Sequence, residues 1–235
     1  MIMRKVFPFL LALLVVLSLS AVALADSTIT VNGTGEALVS ADVAVISLGV
    51  SARDRDVLKA QAKVNEAIAS IRAVLLENGI AKEDIITDYI NIYAMYDYRD
   101  DQEEVAAYNA NSTLAIRVTK MDAIGELIDL AFGAGANTLN GISFSASDTT
   151  EAKAEALRAA VRDAQEKAEV LADAAGLSLG KVESIQEGNT YSYERGAGNF
   201  TMNVKAAEDA AAGTVIQSAK LIVSASVSIT FELDD

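Results

Sequence analysis

The sequence has no cysteine, no histidine and no tryptophan, and its single proline is Pro8. Each absence removes a class of chemistry. Without thiols there is no disulfide framework, no thiolate nucleophile and no sulfur ligand for a metal. Without imidazole the Ser-His-Asp and Cys-His devices are impossible, and zinc, copper and haem lose their commonest protein ligand. Positive charge is also scarce. Nineteen Lys and Arg face 33 Asp and Glu, a formal charge of −14. Such a surface is soluble and repels phosphate backbones and anionic headgroups, so no nucleic-acid partner is expected. With 51% apolar residues the chain is nevertheless too hydrophobic for a disordered acidic polymer.

What is present begins at the N-terminus. Arg4 and Lys5 precede an apolar run from Val6 to Ala25, interrupted only by Ser18 and Ser20 and ending in Ala23-Leu24-Ala25. A basic start, an apolar stretch and a small-x-small exit read as an export signal cut before Asp26. About 20 apolar residues also suffice to span a bilayer, so a permanent N-terminal anchor is the competing reading. Either one predicts an exported protein, periplasmic or at the cell surface. Any membrane contact would run through residues 6–25.

The remainder, 26–235, reads as one α+β domain. Thr28–Glu36 alternates as a first strand, with a bulge or bend at Gly33 and Gly35. Ser40-Ala41-Asp42 forms a turn, and Val43–Val50 forms a second strand. From Asp54 to Asn78 one apolar stripe (Val57, Ala60, Val64, Ile68, Ile71, Leu75) recurs at helical spacing, and Gly79 ends it. Strands are expected over 89–98, 105–118 and 138–146, with a polar connection over 97–104 and a short helix from Lys120 to Phe132. Asp148 and Glu151 suggest a capping box opening the longest helix, which runs to Ala175 with a buried alanine stripe and stops at Gly176. Leu177–Ile185 and Lys220–Leu233 complete the strands. Between them, 189–218 reads as a flexible excursion. Helix-Gly-apolar-strand recurs at Gly79-Ile80 and Gly176-Leu177, which suggests two interlocked ββαβ-like halves.

Few residues qualify as sites. Gly33-Thr34-Gly35 precedes a strand and lacks the third glycine of a dinucleotide fingerprint. Asp97, Asp100, Asp101, Glu103 and Glu104 match no calcium-loop spacing and read as a solvated turn. Glu36, Asp42 and Asp84 lie beside apolar strands, where local turn bonding accounts for Asp42 and Asp84. No catalytic residue, cofactor site or metal site is assigned. Tyr89, Tyr93, Tyr96, Tyr98 and Tyr108 gather around one strand pair. Tyrosine suits half-apolar, half-wet surfaces, so either cross-strand packing or a subunit contact fits them.

Taken together, Val31-Asn32-Gly33-Thr34-Gly35-Glu36, Ala41-Asp42-Val43-Ala44 and Leu48-Gly49-Val50 resemble the opening of SIMPL-domain proteins, the domain of unknown function 541. Gly79-Ile80 with Asp84-Ile85-Ile86-Thr87, and Gly135-Ala136-Asn137 with Gly141-Ile142-Ser143-Phe144, resemble later blocks of that family. So do the alanine-rich helix from Ala156, Gly176-Leu177-Ser178-Leu179-Gly180-Lys181-Val182, and Ser224-Ala225-Ser226-Val227 before Phe231. The sequence departs from the family pattern at Ala41 and at Ser218-Ala219, where the family often carries proline turns. The resemblance implies an exported envelope protein, called periplasmic immunogenic or oxidative-stress defence protein in some members; at least one member assembles into a large ring, so a homo-oligomer is expected here. It supplies no catalytic residue. The resulting expectation is a non-enzymatic, oligomeric envelope protein, with an extracytoplasmic small-ligand or peptide binding module as the alternative.

Overall fold

A computed structural model describes residues 27–99, 102–188, 191–195, 213–214, 216 and 220–234. The expected signal or anchor (1–25) and most of 189–218 lie outside the described residues. The elements are, in order, β1 (Thr28–Ser40), β2 (Val43–Asp54), α1 (Val57–Glu77), β3 (Ile85–Arg99), β4 (Gln102–Val118), α2 (Ile124–Gly133), β5 (Thr138–Ser145), α3 (Thr150–Ala175), β6 (Ser178–Glu187), β7 (Tyr191–Arg195) and β8 (Lys220–Asp234). Among the described residues, three α-helices and two antiparallel sheets make this an α+β fold. One sheet runs β3-β4-β2-β5. The other runs β1-β8-β6, with β7 also paired to β8.

Two compact units form. One comprises the described residues up to Thr34, with Ala159–Gly188 and the chain from Ser226. The other comprises Gly35–Arg158 and the described residues of Asn189–Ala225.

In the larger unit α1 lies across β2 and β4 and against α2. Its buried stripe is Ala60, Val64, Ile71 and Leu75, and Asp56 caps its N-terminus by accepting from the Leu58 and Lys59 N–H groups. The sheet face beneath it carries Ala44, Ile46, Leu48 and Val50 from β2 and Ala110, Leu114, Ile116 and Val118 from β4, all in one core. The alternation predicts this, because in a strand every second side chain shares a face. Burying each large side chain contributes about 1.5–3 kcal/mol.

In the smaller unit α3 is seated on β1 through alanines. Ala160, Ala164, Ala168 and Ala172 are buried, and Gly33 allows the approach. A Cβ on Gly33 would collide with the Ala160 carbonyl oxygen and lie 2.7 Å from the Ala164 nitrogen and Cβ. Gly33 is thus a close-approach glycine inside a strand that runs on from Thr28 to Ser40. Asp163 ties the contact. Its carboxylate accepts from the Thr34 N–H (2.7 Å) and from Lys167 Nζ (2.6 Å), and Lys167 also donates to the Asn32 carbonyl.

All three helices end alike. Gly79, Gly135 and Gly176 take positive φ, and the next residue's N–H returns to a carbonyl five residues back: Ile80 to Leu75, Ala136 to Ala131, Leu177 to Ala172. This is the Schellman arrangement. The likeness visible in the sequence at two helix ends extends to the third.

Three local expectations are corrected. The capping box is only half made: Asp148 accepts from the Thr150 N–H, but Glu151 pairs with Arg158 at 3.2 Å. The polar connection over 97–104 is mostly strand, since β3 reaches Arg99 and β4 starts at Gln102. The excursion 189–218 contains a strand, β7, whose Tyr191–Arg195 pair with Ser224–Lys220.

Candidate functional site

The β3–β4 hairpin is a long pairing, running from Ile85↔Ile116 to Arg99↔Gln102, and it outruns its support. On the far side of β4, β2 pairs from Val118 only as far as Tyr108, opposite Asp54. Beyond that point β4 has β3 alone, through Met95↔Ala107, Tyr96↔Val105 and on to Arg99↔Gln102. A two-stranded ribbon by itself is marginally stable in water. A register shift between Met95 and Tyr96 marks where the ribbon leaves the sheet. Tyr96 and Val105 face each other there, each about half exposed. β3 is also a sheet edge, and long apolar edges template further pairing. Ile86, Tyr89, Ile90 and Tyr93 are all exposed along it.

The tyrosines singled out in the sequence therefore separate. Tyr89 and Tyr93 lie opposite Thr113 and Asn109, on the sheet face away from α1. Tyr96 lies past the register shift. Tyr108 is half-buried and packs against the core under the helices. Tyr98 pairs with Glu103 in the ribbon, and its side chain is outside the described residues.

The face away from α1 is built from registered rows. One is Asn91–Asn111–Ser51 and the next is Tyr93–Asn109–Arg53. Its side chains are bonded to one another. Ser51 Oγ donates to Asn109 Oδ1 (3.2 Å), and Asn109 Nδ2 donates to Tyr93 Oη (2.9 Å) and Asn111 Oδ1 (3.4 Å). Asn137, just before β5, extends the ladder with its amide. It accepts from the Ser51 N–H and donates to the Ser51 carbonyl, both at 2.8 Å. Asn140 donates to Thr113 Oγ1 at 3.3 Å. Sequence reading missed these amides. The signal was Asn109 and Asn111 alternating with the apolar side of β4.

Several acidic residues make local bonds that tie turns and helices. Asp42, in the β1–β2 turn, accepts from the Ser147 hydroxyl and N–H. Those bonds hold its carboxyl below the usual value. Asp54 is lowered chiefly by Lys63, Asp148 by the Thr150 N–H, and Asp163 by Lys167 and then by the Thr34 N–H. Asp84 lies 3.7 Å from Arg117. Among the described residues no cluster of three His, Cys, Asp or Glu side chains could hold a metal ion. An open cavity of about 620 Å³ lies beside α2, lined by Val74, Glu126, Asp129, Leu130, Ala134 and Thr214. Both Asp129 oxygens are engaged by Thr214. Among the described residues no helix is long and apolar enough to cross a membrane.

Comparison with known proteins gives one consistent result. The SIMPL family, described as proteins of unknown function (DUF541), matches residues 29–231. The 26 kDa periplasmic immunogenic protein of Brucella melitensis is 30% identical over 68% of this chain and 66% of its own length. The uncharacterized protein YggE of Escherichia coli K12 is 28% identical over 67% of this chain and 64% of its own. YggE of Edwardsiella ictaluri is 27% identical, with 67% and 66% covered. The matched stretch thus spans just under two thirds of these relatives. With a family match from β1 to β8, the chain belongs to the SIMPL family.

Proposed function

We propose that this protein is an exported, non-catalytic component of the cell envelope that acts by associating with copies of itself, and that the β3–β4 ribbon is the contact. The ribbon carries the reading. It is a two-stranded extension beyond the reach of β2 that leaves Tyr96 and Val105 half exposed on facing strands. A second copy would cover both side chains, each already about half buried and so gaining about 1–1.5 kcal/mol at most. Export is supported by the N-terminal apolar run and by the periplasmic name of the Brucella relative. The absence of thiol and imidazole supports a role without bond-making. A link to stress protection rests on the family resemblance alone.

Mass photometry at micromolar and nanomolar concentration tests the assembly. The wild type should give a multiple of the protomer mass. Tyr96→Ser/Val105→Ser should shift it to the protomer while circular dichroism stays unchanged. A strict monomer at both concentrations would defeat the reading.

A further inference from the structure

The open face of the β3-β4-β2-β5 sheet has a chemistry unlike the rest of this acidic chain. From Ile86 to Tyr93 on β3, Asn109 to Arg117 on β4 and Val45 to Arg53 on β2, the registered positions of this face hold no carboxylate. Asp88 lies in the register shift between Thr87 and Tyr89. At these registered positions the only charges are Arg53 and Arg117, at opposite ends, and Arg117 lies beside Asp84. Between them stand Tyr89, Asn91, Tyr93, Asn109, Asn111 and Ser51. With 33 acidic residues in the chain, a solvated sheet face would ordinarily carry several.

We propose that this face binds a neutral saccharide chain. Sugars present hydroxyls that both donate and accept, and ring faces of C–H bonds. An amide side chain offers both a donor and an acceptor, which no carboxylate or ammonium does. A tyrosine ring offers an apolar plane with a polar tip. The Tyr89 and Tyr93 rings are about half exposed. Four residues apart on one strand, they stand about 13 Å from each other, so a ligand touching both is a chain and not a single ring. The groups between them are pre-positioned: Asn109 is fixed by Ser51, Tyr93 and Asn111. No hydrogen bond to a described residue engages the Asn111 amide nitrogen or the Asn91 side chain. A site on paired strands pays little ordering entropy when it binds. Nucleic acid would need more cations than two terminal arginines. A second copy would need an apolar centre, whereas this face has amides there.

The test is isothermal titration of the exported protein with chitohexaose and with cellohexaose, each at about 50 mM and about 1 M NaCl. Saturable binding with either sugar, changed less than about twofold by salt, is expected. Tighter binding of chitohexaose identifies an acetamido-bearing envelope glycan, and equal binding identifies neutral saccharides in general. Tyr93→Ala and Asn111→Ala should each weaken binding at least about tenfold, while Glu169→Gln on α3 should leave it unchanged. Circular dichroism shows that the variants fold. The proposal is overturned by no saturation with either sugar, by strong weakening in high salt, or by undiminished binding in both variants. It is equally overturned if those two variants lower the assembly mass in place of sugar binding, which would make this face a contact between copies.

Discussion

Gly33→Ala is the sharpest test of how α3 is held. The new methyl would meet backbone, not a flexible side chain. Its Cβ would overlap the Ala160 carbonyl oxygen and sit 2.7 Å from the Ala164 nitrogen, where ordinary contacts begin at 3.4 Å. The helix must therefore retreat by roughly 0.7 Å or more along this turn, loosening the alanine contacts and the Asp163–Thr34 bond together. Overpacking of this kind costs about 1–3 kcal/mol, and a rigid backbone neighbour places it near the top. Removing a glycine from the unfolded chain offsets about 0.4–1 kcal/mol. The net is about 2 kcal/mol, or a fall in Tm of about 4–8 °C for a chain this long. Gly133→Ala is the control. It closes α2, and its added Cβ meets nothing within 4 Å, so it should raise Tm slightly. Differential scanning calorimetry reads both. An unchanged or higher Tm for Gly33→Ala would refute the close-approach argument.

Other consequences are smaller but separable. Asp42, Asp54, Asp148 and Asp163 all have carboxyls held below their usual value of 3.8. The folded state therefore binds fewer protons than the unfolded one, and these groups add stability that is fully present above that value and lost as pH falls through the folded pKa. Asp42→Asn should lower Tm at pH 7, and its gap from the wild type should close below about pH 4; a gap that widens on acidification would contradict the sign. Ser224 Oγ is buried with no hydrogen-bond partner among the described residues, so Ser224→Ala should be neutral or stabilising by up to about 1 kcal/mol in urea unfolding, and a clear loss would show that the hydroxyl has a partner.

The fold was largely legible because its signals are local. Helical spacing placed α1 and α3, glycine marked their ends, and alternation placed β2 and β8. The hairpin was less legible. Asp97-Tyr98-Arg99-Asp100-Asp101-Gln102-Glu103-Glu104 has the composition of a loop, and only cross-strand register turns most of it into strand. β7 was hidden for the same reason: Tyr191–Arg195 form a strand because β8 is there to receive them. Alternation in β4 shows that Asn109 and Asn111 oppose Ala110 and Ser112, but not which side a helix covers. Tyr89, Tyr93, Tyr96 and Tyr108 looked like one cluster because sequence distance carries no account of a register shift or of the covered face.

Cross-linking in intact producing cells measures the central claim most directly, since a chain without cysteine gives an introduced thiol no competitor. Glu104→Cys places that thiol on the ribbon without removing Tyr96 or Val105, and Glu169→Cys places it on an exposed stretch of α3. With a short bis-maleimide, Glu104→Cys should yield a covalent dimer and Glu169→Cys should stay a protomer. Dimers from both at equal yield, or from Glu169→Cys alone, would contradict self-association through the ribbon.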